Sequence, residues 1–246
     1  NKGKVIEFTA IPNTHYMHQA DLSFVGHIGE GLRILSKGIS PSPVWEGSEP
    51  IIVRNQLKSI FSEKNEWGPG AVIETVRKIL PANGVATVDS GAHRILLSQV
   101  WECYQPRGLL QSTGLCTMGC AVPLAMGFQL ASPECPVVAF TGDAGLEMVL
   151  GELATLRDLK LPVVIVVFVD ESLALIELKQ RRLGMPNLGV DFDRTNFPKV
   201  AEALGGEGKW ISDRSGLIEA FEGAFERQTF SLLACKIGDK VYDGRF

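Results

Sequence analysis

The chain has 246 residues, is 45% hydrophobic and 21% charged, and carries a net charge of −4. That length allows one large or two small domains around a buried core, and the composition is that of a globular rather than a disordered protein. A chain of net negative charge offers no broad basic face to a phosphate backbone or an anionic membrane, which argues against nucleic acid and lipid as partners.

In chain order, residues 4–11 have a strand-like pattern, and Ile28, Leu32, Ile34 and Leu35 fall mostly on one helical face of residues 28–37. A short αβ piece over residues 1–37 is expected. Gly38-Ile39-Ser40-Pro41-Ser42-Pro43 is stiff and turn-rich and opens a linker over residues 38–67. A regular βα rhythm then begins, giving a second domain over residues 68–246. Pro69 starts a helix with Val72, Ile73, Val76, Ile79 and Leu80 on one face, and Pro81 with Asn83-Gly84 stops it. Strands are expected at residues 85–88, 137–140, 163–169 and 231–237. A helix is expected over residues 146–159, and Leu217, Ile218, Phe221 and Phe225 mark a later one. Apolar strands alternating with amphipathic helices predict a doubly wound α/β fold, a parallel sheet with helices on both faces.

The apolar run at residues 161–169 is far shorter than the roughly 20 residues of a bilayer span, so no transmembrane helix is expected. No secretory signal opens the chain, and the first residue is Asn1 rather than Met, as in a piece of a longer chain or a processed product. Cys103, Cys116, Cys120, Cys135 and Cys235 are odd in number, lie in apolar stretches and show no CxxC spacing. Neither a disulfide framework nor zinc is suggested, and a reducing cytoplasm is the expected location.

In this fold class the ligand sits at the carboxyl ends of the strands, near the point where strand order reverses. After Val88 comes Asp89-Ser90-Gly91-Ala92-His93, after Phe140 comes Thr141-Gly142-Asp143-Ala144-Gly145, and after Val169 comes Asp170-Glu171-Ser172. A glycine-rich turn entering a helix offers backbone N–H groups to a phosphate. Asp143 and Asp170 repel an anion, so a hard divalent cation between the carboxylates and a diphosphate reconciles them, and Mg²⁺ favours that mixed coordination.

Gly142-Asp143-Ala144 followed by Asp170, with Glu152-Leu153-Ala154-Thr155 and Leu161-Pro162-Val163 between them, resembles the GDG…N motif of thiamine diphosphate (ThDP) enzymes. Thr113-Gly114-Leu115-Cys116-Thr117-Met118-Gly119, with Pro123 and Gly127, resembles the GLGTMG…P…G segment of the acetohydroxyacid synthase and pyruvate oxidase group. Asp89-Ser90-Gly91-Ala92-His93 is similar to that group's DVGQH loop. The resemblance covers about residues 68–240, the pyrophosphate-binding domain. It implies ThDP and Mg²⁺ as cofactors, with the metal held by Asp143, Asp170 in place of the family's asparagine, and the backbone carbonyl of Ser172. It also implies that Gly91, Ala92, His93, Gly142, Ala144 and Gly145 line the diphosphate, and that Met118 wedges beneath the cofactor. The Cys116 carbonyl would accept a hydrogen bond from the 4′-amino group, and Leu173 and Leu175 would lie near the thiazolium. The implied reaction is decarboxylation or carboligation of a 2-keto acid, in which the cofactor carries the chemistry and the protein supplies orientation and a dry pocket.

Some residues keep a plainer reading. Met118 could be core filler and His93 a hydrogen-bonder at a helix end. Cys116 and Cys120 read as buried, inert thiols. His15, His18 and His27 read as surface or packing residues. Residues 179–182 read as a solvated face or a mobile region, and nothing separates Glu147 and Glu177 from solvated helix residues. The family's activating glutamate belongs to a pyrimidine-binding domain for which this chain has no room. Residues 1–37 resemble the end of the family's middle domain. The expected partner is therefore the missing amino-terminal domain, on the same gene product or a separate subunit, in a homodimer or tetramer when complete. The chain alone is expected to be inactive. Two alternatives are a catalytically silent partner subunit and a nucleotide-binding oxidoreductase domain. The second lacks a GxGxxG after its first strand.

Overall fold

The computed structural model describes residues 3–14, 19–40, 47–61 and 66–245. They divide into two compact units, Asn1–Ile52 and Val53–Phe246. In the first, β1 (Ile6–Thr9) and β2 (Leu22–Val25) pair in parallel, and Phe8 lies opposite Phe24 with the rings stacked at 5.0 Å. Helix α1 (Ile28–Ser36) starts at His27, whose ring accepts the Glu30 N–H at 3.2 Å, so this histidine is a helix cap. His15 and His18 lie outside the described residues. Helix α2 (Glu49–Phe61) falls inside the segment expected as a linker and spans the division between the units.

The second unit is built on a six-stranded, all-parallel sheet. Helix α3 (Pro69–Ile79) leads to β3 (Val85–Val88), α4 (Ala92–Val100), β4 (Leu109–Gln111), α5 (Ala121–Ala131) and β5 (Val137–Gly142). There follow α6 (Asp143–Glu147), α7 (Glu152–Asp158), β6 (Val164–Val169), α8 (Ala174–Arg182) and α9 (Phe197–Ala203). The unit ends with β7 (Glu207–Ile211), α10 (Arg214–Phe221), a 3₁₀ turn at Ala224–Glu226 and β8 (Ser231–Lys236). The helix expected over residues 146–159 is broken. Between α6 and α7, Val149 and Glu152 donate to the carbonyls three residues back, Leu146 and Val149, and Gly151, a poor interior helix residue, caps α7.

Side-chain alternation along each strand separates two cores. Val88, Val138, Phe140, Val166 and Phe168 face α3, α4 and α10. Ala139, Ile165, Val167, Leu232 and Ala234 face α5, α7 and α9. Helices therefore cover both faces, as a doubly wound fold requires. The strand order is β4-β3-β5-β6-β8-β7, so the chain steps outward from β3 to β4 and then returns to place β5 on the other side of β3. That reversal opens the crevice between the ends of β3 and β5. Among the described residues no helix is long and apolar enough to cross a membrane.

Candidate functional site

The crevice holds a cavity of about 140 Å³. Gly91, Ala92, His93, Met118, Gly142, Asp143, Ala144, Gly145, Asp170, Ser172, Leu173 and Leu175 all line it, drawn from the ends of β3, β5 and β6, the starts of α4, α6 and α8 and, for Met118, the turn between β4 and α5. Ser90, Phe168, Ala174, Ile176 and Tyr242 complete the lining. Cys116 does not line it. It sits with φ at +51° beside the exposed Leu115, and its thiol points back to the Thr113 carbonyl. Neither Cys116 nor Cys120 is buried. Cys103 is exposed, and only Cys235 among the five free cysteines lies in the core, which corrects the expectation of apolar surroundings for all of them. Partial desolvation pushes the Cys120 thiol up, and complete burial pushes the Cys235 thiol up.

Asp143 is almost wholly buried and is held by backbone donors. Its Oδ1 accepts the Ala144 N–H at 2.8 Å, and its Oδ2 accepts the N–H groups of Asp170 at 3.1 Å and Glu171 at 2.8 Å. Glu171 takes a left-handed conformation, φ +57°, in the turn that presents these two amides. Desolvation pushes the Asp143 carboxyl up against the lowering effect of those amides, and burial followed by the charge of Asp143 pushes Asp170 up to about 8. Among the described residues neither carboxylate forms an ion pair with a lysine, arginine or histidine.

Two desolvated carboxylates without a cationic partner fit a divalent cation. Among the described residues no group of three or more His, Cys, Asp or Glu side chains could hold a metal. Two acids and a backbone carbonyl suit an ion that takes its remaining ligands from phosphate and water, as Mg²⁺ does.

His93, in the first turn of α4, is buried, with its ring stacked on Phe168 at 5.4 Å and Nε2 at 2.7 Å from Asp89 Oδ1. His93 hydrogen-bonds at a helix start, as its plainer reading has it, and it also lines the cavity. Glu147 accepts a hydrogen bond from Thr195, and Glu177 pairs with Arg181. Residues 179–182 belong to α8, where Arg181 bridges Glu177 and Asp243 across the carboxyl-terminal segment, so they are tied into the fold.

A family model described as thiamine pyrophosphate enzyme, C-terminal TPP binding domain, matches residues 89–235, more than half of the chain. The chain belongs to this family. Acetolactate synthase isozyme 3 large subunit of Escherichia coli (strain K12) is 31% identical over 220 residues, covering 82% of this chain and 38% of that protein. Acetolactate synthase of Bacillus subtilis (strain 168) is 27% identical over 207 residues, 80% of this chain and 36% of that one. The chain thus spans well under half of these relatives. In structure it is similar to the thiamine diphosphate-dependent 4-hydroxybenzoylformate decarboxylase of Rhodococcus jostii RHA1. The TM-score is 0.78 at 19% identity, over 96% of this chain and 44% of that one, a likeness of fold. The ThDP-binding fold is therefore that of this TPP-binding domain, and its relatives include acetolactate synthases.

Phe168 and Tyr242 escaped the sequence reading. Phe168 lies inside an unbroken apolar strand, where nothing marks one residue as facing a ligand. Tyr242 comes from the far end of the chain.

Proposed function

We propose that this TPP-binding domain holds the diphosphate of ThDP through Mg²⁺ and forms one wall of an enzyme that acts on a 2-keto acid by decarboxylation or carboligation. The observation that carries this reading is the pair of desolvated carboxylates, Asp143 and Asp170, facing one cavity beside the glycine-rich entry to α6. Asp143, Asp170 and the Ser172 carbonyl would hold the metal; Asp143 Oδ1 accepts a single amide and keeps room for it. Asp170, where the family motif has asparagine, adds a negative charge that strengthens the hold on a cation. Gly91, Ala92, His93, Gly142, Ala144 and Gly145 would line the diphosphate, where small residues let backbone N–H groups approach it. Met118 would support the ring system, the Cys116 carbonyl, which lies outside the cavity lining of this unit, would accept from the 4′-amino group, and Leu173 and Leu175 would keep water from the reacting end. When bound, ThDP supplies a nucleophilic carbon and a sink for the electron pair released as carbon dioxide leaves.

The 2-keto acid follows from the resemblance of the motifs at residues 89–93, 113–119 and 142–144 to the acetohydroxyacid synthase and pyruvate oxidase group. The cavity is well below the roughly 300–1,000 Å³ of a complete small-molecule site, which supports a site finished by a second domain. That partner is the pyrimidine-binding domain with its activating glutamate, on the same gene product or another subunit, in a cytoplasmic dimer or tetramer. Calorimetric titration of ThDP with and without Mg²⁺ tests the reading. Binding should require the metal and weaken at least tenfold in Asp143→Ala, the usual scale for losing a metal-site group. Metal-independent binding, or none even after the amino-terminal portion is added, would contradict it and favour a silent partner subunit.

A further inference from the structure

The cavity lining leaves one buried acid without an assigned role. Asp89, at the end of β3, is 1% exposed and is not among the lining residues, yet it bonds to three separate segments. Its Oδ1 meets His93 Nε2 at 2.7 Å, and its Oδ2 accepts the Gly119 N–H at 2.6 Å and the Thr141 hydroxyl at 3.0 Å. The geometry points to Asp89 as a positioning residue that sets the protonation pattern of His93 and locks the Met118–Gly119 turn to the diphosphate end of the cavity. This rests on the cofactor reading above.

A carboxylate only accepts, so Nε2 of His93 carries the proton in this bond. The opposite edge of the ring faces the cavity. A Cβ built on Gly91 would stand 2.7 Å from Nδ1, and one on Gly142 3.5 Å from it, and both glycines line the cavity. Among the described residues Nδ1 has no hydrogen-bond partner. A phosphate oxygen against that edge completes a carboxylate–imidazole–anion array, in which Asp89 balances the charge of a ring that donates from both nitrogens. The second oxygen of the same carboxylate fixes the amide next to Met118. One side chain thus keeps the diphosphate-facing histidine and the supporting methionine in register across residues 30 apart in sequence.

Asp89→Asn tests this without changing shape. The Gly119 N–H cannot reverse, so the amide oxygen must stay toward it, which turns the amide NH₂ toward His93. Nε2 then has to accept, and the proton moves to Nδ1. Histidine ¹⁵N NMR of the 246-residue chain should show Nε2 protonated in the wild type, and Nε2 bare with Nδ1 protonated in Asp89→Asn. ThDP affinity with MgCl₂ should fall about ten- to a hundred-fold, as when the partner that orients a liganding histidine is removed. A bare Nε2 in the wild type overturns the inference and needs no variant to fold. Equal ThDP affinity of wild type and variant overturns it while leaving the cofactor reading in place. A wild type that binds no ThDP even after the amino-terminal portion is added overturns the cofactor reading and the inference with it.

Discussion

A methyl group on Gly145 would stand 2.2 Å from Asp89 Oδ2 and 2.9 Å from Thr141 Oγ1, both part of a buried network with no slack. Glycine is required there by the close approach of α6 to that carboxylate. Gly145→Ala should destabilise the fold by about 1–3 kcal/mol, the cost of overpacking a filled interior, read as a lower urea midpoint at unchanged slope. An unchanged midpoint would mean that the carboxylate can move aside. Asp143, Asp170 and the glycines were legible in the sequence because they follow apolar strands and stand in a known order. The role of Asp89 was not, since its partners Gly119 and Thr141 lie 30 and 52 residues away and only the fold brings them together.

Among the elements, β3, β5, β6 and β8 were legible because each is a short run of apolar residues bounded by turns, and α3 because its apolar face is bracketed by prolines. Edge strands were not. Strand β4 has three residues, none fully buried, and β7 alternates exposed with half-buried residues around charges, so neither carries an apolar run. Helix α5 is apolar nearly all round and shows little periodic contrast, while α2 lies in a segment whose prolines and glycine suggested a linker. Within the second unit, the part of α2 from Val53 onward carries a Lys58–Glu102 ion pair, and the hydrogen bond from Lys58 holds the Glu102 carboxyl below its usual range. A carboxyl lowered in the folded state stabilises at neutral pH, and the contribution is lost as pH falls through the folded value. Amide exchange over residues 53–61 should therefore quicken, relative to the core strands, on acidification through the carboxylate range. Lys58→Ala should remove that pH dependence at a cost of about 0.5 kcal/mol, as befits a largely solvated pair. Exchange equally pH-dependent in the variant would assign the effect to other groups.

For the whole molecule, the reversal of strand order between β3 and β5 decides where chemistry can occur. It aligns the ends of two buried strands, and β6 beside them adds Asp170, so acids distant in sequence face one cavity. The doubly wound class was legible from the alternation of apolar strands and helices. Its strand order was not, because parallel strands of similar composition can be shuffled without changing local pattern. The measurement that bears most directly on a metal-bridged diphosphate site is electron paramagnetic resonance of Mn²⁺ in place of Mg²⁺, with ³¹P coupling read by electron–nuclear double resonance. With ThDP present, the chain should bind Mn²⁺ and show coupling to the diphosphate phosphorus, and Asp143→Ala should show neither. Mn²⁺ that stays free beside ThDP even after the amino-terminal portion is added, or that binds without phosphorus coupling, would contradict the proposed site.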